Sequence, residues 1–261
     1  MRKPVLSGDR VTMRSPLQFW SYIPGSLFGR GEASKAVSKL FVKRYTDQVL
    51  FEESLTNSEE AFKIAQRARF LRVPEVVSYD RQRLVINFEY MERWQTITNL
   101  IRNYHFLSLL EEEVKRIFQL VGRALAEYHY LSGKIHGDFD STNVLFKPNE
   151  PRICLIDFSR PDFATSSDYC RGSVYRDLAL FLIHLRVKYP PHQLHFAYRS
   201  MNRTLSKEFL VGYFEVSETK YEFDKLQAEF RACLKIDYLA RTFMIRFLSA
   251  STIFSIEDLR P

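Results

Sequence analysis

Two short apolar runs in the middle of the chain, NVLF at residues 143–146 and ICLI at residues 153–156, are separated by the polar segment KPNEPR. Runs this short around a turn rich in Pro and Asn are too brief for helices and read as a small hairpin. The hairpin brings specific residues together. Asn143 opens its first strand and Asp157 follows its second, so the two lie near the same end. The loop KIHGDFDST, residues 134–142, arrives beside them and carries Asp138.

The surroundings of the hairpin divide the chain. Before it, SKAVSKLFVKRY (34–45) ends in an apolar run with Lys43 embedded, a strand pattern. TNSEEAFKIAQRARFL (56–71) places Ala61, Ile64, Ala65, Ala68 and Leu71 on a helical stripe, with Thr56 and Glu59 as a capping box at its start. VPEVVSYDRQRLVINFEYM (73–91) reads as two strands around the polar turn 80–83. From about residue 92 the pattern becomes helical. Val114, Ile117, Phe118, Val121, Leu125 and Tyr128 recur at helical spacing, and Gly133 is a natural stop. VYRDLALFLIHLRVKY and most of the chain after the hairpin are helical too. The expected fold is therefore α+β and two-lobed: a small antiparallel, strand-rich N-lobe with one helix (1–91), and a larger, mainly helical C-lobe (92–261). A cleft between such lobes is a usual ligand site.

Oxygen ligands converging at one point suit Mg²⁺, which takes one or two protein groups together with phosphate oxygens and water. A carboxylate close by can orient a hydroxyl and accept its proton. Together these equip a site for phosphoryl transfer from ATP, where positioning and charge neutralisation supply most of the catalysis.

HGD followed by four residues and Asn, then IDF, resembles the catalytic and metal-binding loops of the protein-kinase-like superfamily. The HGD form is similar to the aminoglycoside phosphotransferases and to sugar and lipopolysaccharide-core kinases. The resemblance implies Asp138 as catalytic base, Asn143 and Asp157 as magnesium ligands, and His136 as a structural member of the loop. It also calls for a strand lysine and a helix glutamate that together hold the ATP phosphates. Lys43 in LFVKRY fits the lysine, with Arg44 the competitor on the opposite strand face. For the glutamate, Glu59 is absorbed by the capping box, whereas Glu60 shares a face with Ile64 and Ala68 and needs a partner such as Lys43. INFEYME (86–92) resembles the connector between lobes, where the main chain of Glu89 and Met91 would hold adenine and Phe88 would border the pocket. Gly29 and Gly31, with Gly25 and Gly8 as further candidates, would cover the phosphates, although Gly31 stands unusually close to Lys43. Asp177 in RDLALFL resembles the aspartate that braces the catalytic loop. Asp140 and Ser141 are left to face the acceptor.

No Ala-Pro-Glu element follows Asp157, and Ser159 stands where protein kinases have glycine. The acceptor implied is a sugar, glycolipid or other small molecule. The alternatives are a small atypical Ser/Thr protein kinase or ATPase associated with RNA modification, and a kinase-shaped module that binds without catalysis. The formal charge of +7 suits an anionic partner, a membrane surface more than RNA. No uncharged apolar run reaches 18 residues, which argues against a membrane span. The N-terminus lacks the apolar stretch of a signal peptide. Cys154, Cys170 and Cys233 have no metal-binding spacing and point to reduced thiols in a cytoplasmic protein, so a structural zinc is not expected.

Overall fold

Alternation along LFVKR sets the first strand, β1 (Leu40–Arg44): Lys43 turns inward at 6% exposure while Arg44 is exposed, which separates the two candidate cations. β1 pairs antiparallel with β4 (Val85–Glu89), and β4 pairs with β3 (Val76–Asp80), giving a sheet in the order β1-β4-β3. The β3–β4 turn is closed by Asp80, whose side chain accepts from the amides of Gln82 and Arg83. A second sheet runs β2 (Leu71–Arg72), β7 (Ile153–Leu155), β6 (Val144–Phe146), β5 (Gln95–Thr96). The computed structural model describes residues 39–103, 111–159, 172–187, 196–235 and 256–260, and among them the architecture is α+β in two lobes.

The N-lobe helix, α1 (Gln48–Ala65), departs from expectation at both ends. Asp47, not Thr56, is its cap, accepting from the Leu50 amide, so Thr56 lies inside the helix. The helix also stops before Ala68 and Leu71. Glu127 collects the amides of Arg69, Phe70 and Leu71, at 2.9, 2.6 and 3.1 Å, and draws that segment out of the helix. Leu71 then pairs with Ile153 as a parallel strand. A carboxylate from a distant helix overrides a helical pattern that continues in the sequence, because three charge-assisted bonds outweigh one more turn of helix.

Two cores result. Phe51, Leu55 and Ile86 join the sheet to α1, with Tyr45 and Phe88 packed against them. The larger core includes Ala61, Ile64 and Ala65 from the end of α1 as well as Leu71 and Val73, so the N-lobe helix is rooted in the C-lobe.

The C-lobe is organised by α3 (Glu111–Ser132), whose predicted stripe is buried throughout and whose stop is Gly133, at φ 65°. Three glutamates in its first turn complement the helix dipole. α2 (Ile97–Asn103) precedes it, and α4 (Val174–Val187), α5 (Phe196–Val216) and α6 (Phe223–Lys235) follow. α3 and α5 touch through glycine. A Cβ on Gly122 would sit 2.1 Å from the Phe209 carbonyl oxygen, and one on Gly212 would sit 2.0 Å from that of Gln119. Each mid-helix glycine costs about 1 kcal/mol of propensity relative to alanine. Here it permits backbone-to-backbone contact that no side chain allows. Gln119–Glu208 and Arg123–Glu215 bonds flank the crossing.

Candidate active site

The hairpin forms as its sequence requires, with Val144 opposite Leu155 and Leu145 opposite Cys154. Its open end carries Asn143 and Asp157 on adjoining strands, and the Ile156 amide donates to the Asn143 carbonyl at 3.0 Å. The Asn143 side-chain nitrogen donates to the main-chain oxygen of Asp138 (3.0 Å) and to its Oδ2 (3.2 Å). That orientation turns the amide oxygen of Asn143 away from Asp138. Asp157 takes the left-handed conformation, φ 63°, two residues after the strand ends.

The loop before the hairpin is fixed from behind. Asp177, in the first turn of α4 and fully buried, accepts from the amides of His136 (2.6 Å) and Gly137 (2.8 Å) and from His129 Nε2 (2.9 Å). The other nitrogen of His129 meets the Tyr213 hydroxyl at 2.9 Å, tying α3, α4 and α5 to the loop. Burial opposes the charge on Asp177, but these bonds and the two histidines keep its carboxyl below the ordinary carboxylate range. Gly137 sits at φ 80°, where a side chain would be strained.

His136 plays the structural part expected of it. It is buried, its Nε2 bonds to the Ile156 carbonyl at 3.2 Å, and its ring packs 4.9 Å from that of Phe158. Burial lowers its pKa. Asp140 and Ser141 turn inward rather than toward an acceptor. Asp140 bonds to the Thr142 amide and hydroxyl and lies 3.3 Å from His184 of α4. The Ser141 hydroxyl bonds to Thr98 at 2.7 Å. Thr142 and His184 of α4 thus take up Asp140, and Thr98 of α2 takes up Ser141.

Asp138 is different. Partly exposed, its carboxyl is pushed up to about 7, by burial first and then by the charges of Asp140 and Asp157. A carboxylate with that pKa is matched to accepting a proton near neutral pH.

Lys43 reaches across from β1. Its Nζ lies 2.5 Å from Asp157 Oδ1, a residue 114 positions away, and 2.8 Å from Ser159 Oγ, which itself bonds to Asp157. Burial works against the ammonium, but Asp157 and Tyr45 more than offset it and leave Lys43 above its ordinary value. Burial likewise opposes ionisation of Asp157, and Lys43 and Ser159 hold it below the carboxylate range.

The expected Lys43–Glu60 pair does not form. Glu60 bonds instead to Lys134 at 2.6 Å, at the entrance to the loop. Because α1 starts at Gln48 and sits deeper in the C-lobe than the stripe from Thr56 implied, Ser54, Ser58 and Ala61 face inward and Glu60 stays half-exposed.

Around the connector, Glu89 ends β4 with its amide bonded to Glu75 and its side chain to Arg72 at 2.5 Å. Met91 follows in a turn, its carbonyl accepting from Trp94. Phe88 is half-buried on the sheet face that carries Lys43, opposite Phe41. Gly29, Gly31, Gly25 and Gly8 lie outside the described residues.

The donor set fits the magnesium that the sequence motif implies. Asp157 is held ionised, and Asn143, whose side-chain nitrogen is taken up by Asp138, has a neutral amide oxygen to offer. Among the described residues no cluster of three or more His, Cys, Asp or Glu could hold a metal. A hard cation completed by phosphate oxygens needs only one or two protein groups.

A strand lysine is thus held on a hairpin aspartate, over a loop braced by a helix-initial aspartate. No protein-family model matches the chain, and no curated protein matches it. Among solved structures it is similar to WaaP in complex with acyl carrier protein, at TM-score 0.48 and 14% identity over 82% of each chain. It is also similar to the PknI kinase domain of Mycobacterium tuberculosis, at TM-score 0.42 and 19% identity, covering 76% of this chain and 92% of that one.

The sequence alone did not single out Glu127, Tyr45 or the Asp140–His184 pair. His184 had a usable signal, since it lies seven positions after Asp177 on one helical face. Tyr45 had one too, since strand alternation puts it on the Lys43 face, whereas Glu127 had none, because its partners are distant in sequence.

Proposed function

We propose that this chain is an ATP- and Mg²⁺-dependent phosphotransferase that moves the γ-phosphate to a hydroxyl of a non-protein acceptor, a sugar, glycolipid or other small molecule. The observation that carries the proposal is the Lys43–Asp157 contact of 2.5 Å formed beside Asp138, whose carboxyl is pushed up to about 7. In this reading residues 1–91 are the N-lobe and 92–261 the C-lobe. The main chain of Glu89 and Met91 holds adenine beside Phe88, and Gly29 and Gly31 cover the phosphates.

Asp138 accepts the proton of the acceptor hydroxyl as it attacks, and Asn143 keeps its carboxylate aimed by holding one oxygen. Lys43 holds phosphate oxygens. Asp157 and Asn143 would hold the metal, which when bound would neutralise phosphate charge. Asp177 fixes the loop on which Asp138 stands, so the base needs no reorganisation during the reaction. No helix of the described residues is long and apolar enough to cross a membrane. The net charge of +7 supports a cytoplasmic protein working at an anionic membrane face, where a glycolipid acceptor would be met.

The test is transfer of labelled γ-phosphate from ATP with Mg²⁺, using a panel of sugars, glycolipids and cell extract. Wild type labels a non-protein species and Asp138→Asn does not. Label appearing only on protein, or equally with both forms, overturns the proposal.

A further inference from the structure

Glu60 is occupied by Lys134, so the lysine of the site is anchored by other groups. Tyr45 lies two residues along β1 from Lys43, on the same strand face, and the Lys43 ammonium stands 5.1 Å from its ring centre. The Tyr45 hydroxyl bonds to Ser54 Oγ on α1, and Ser54 is 1% exposed. The ring packs edge-on against Phe51 at 5.9 Å, fixing its plane. One turn further along α1, Asn57 donates to the Phe158 carbonyl at 3.3 Å. The face of α1 toward the site thus works through Ser54 and Asn57.

We propose that Tyr45, braced by Ser54, is a positioning residue for Lys43, linking α1 to the lysine through hydroxyls. This inference rests on the phosphotransferase reading. Its chemical content is a division of labour. A helix carboxylate would share the positive charge of Lys43. A neutral phenol restrains the ammonium by its ring face and hydroxyl while leaving the full charge to Asp157 and to ligand phosphates. Burial raises the Tyr45 phenol above its ordinary range, so it remains a neutral donor and acceptor.

Tyr45→Phe keeps the ring and its packing on Phe51 and removes only the hydroxyl. Ser54→Ala removes the brace. Each is expected to raise KM for ATP and the Mg-ATP dissociation constant about 3–10-fold, the effect of one lost hydrogen bond, with kcat changed less. The double variant is expected to be no worse than either single one, since Ser54 acts through Tyr45. Lys43→Met serves as the reference. If it weakens nucleotide binding while Tyr45→Phe and Ser54→Ala bind as wild type, the positioning role is wrong and the phosphotransferase reading stands. A lowered Tm with unchanged KM, or strictly additive losses in the double variant, also overturns it. If Lys43→Met binds Mg-ATP as wild type does, the reading of the site fails and the inference with it.

Discussion

Asp177 and Lys43 are both buried ions of the same site, yet they are held in different ways. Asp177 is fully buried and accepts two main-chain amides and a histidine whose helix is locked against α5. Lys43 stands on a five-residue strand, and among the described residues its ammonium meets side chains: Asp157, Ser159 and Tyr45. The first arrangement cannot change without breaking backbone structure. The second can exchange a carboxylate for a phosphate by rotating a few bonds. The proposed phosphotransferase would need both, a base that stays put and a lysine that can let go.

The sharpest way to break this comparison is at the base. Asp138→Asn is expected to lower the transfer rate about 10²- to 10⁴-fold, the usual worth of a positioned general base, while the protein still folds. The pKa of about 7 adds two signs to check. The ionised base exists above that pH, so kcat/KM should rise as pH climbs through 7 and then level off. Stability should move the other way. Between about pH 4 and about pH 7 native Asp138 keeps a proton that the unfolded chain, near 3.8, has released, so stability falls as pH rises across that window. Asp138→Asn cannot ionise and should gain Tm relative to wild type from pH 5 to pH 8. A rate that is flat across this range would remove Asp138 from the proton transfer.

Next in size is the brace. Asp177→Ala leaves two loop amides and His129 without their acceptor in a site closed to water. A loss of about 3–5 kcal/mol in urea denaturation is expected, as for breaking a buried ionic network. A loss under about 1 kcal/mol, the worth of one ordinary hydrogen bond, would mean the loop is held by something else. The same rigid half predicts the effect of Gly122→Ala. An added methyl meets the Phe209 and Tyr213 backbone, which cannot rotate aside, so α3 and α5 must separate at a cost of about 1–3 kcal/mol. Because His129 and Tyr213 lie on those helices, transfer activity should fall as well, which a remote stability defect would not produce at low temperature.

The same contrast explains what could be read from the sequence. The hairpin, the loop at 134–142, α3 and Asp177 were legible because their signals are local: apolar runs, a helical stripe and charges at fixed offsets. Asn143 and Asp157 come together through hairpin geometry alone. The N-lobe was less legible. The start of α1 depends on Asp47, a common turn residue with nothing to distinguish it, and its end depends on Glu127 in another helix. The partner of Lys43 depends on how deep α1 sits, which tertiary packing decides. Once the helix boundaries moved, the face assigned to Glu60 moved with them.

Glu60 therefore gives the smallest expected effect and a clean contrast with Asp177. Its ion pair with Lys134 is short at 2.6 Å, but both side chains are over one-third exposed, at 44% and 37%. Water screens such a pair and the long side chains lose freedom in forming it, so Glu60→Gln should cost under about 1 kcal/mol. What remains should fade further in high salt. If Glu60 were the functional partner of Lys43, the same substitution would raise KM for ATP sharply, whatever it did to stability. Measuring both on one variant therefore separates the two roles. A small salt-sensitive change in Tm with ATP affinity intact fits a tether between α1 and the loop entrance. A large KM effect would mean that α1 turns in the nucleotide-bound state to bring Glu60 to Lys43, making the adjustable half of the site a moving helix as well as a mobile side chain.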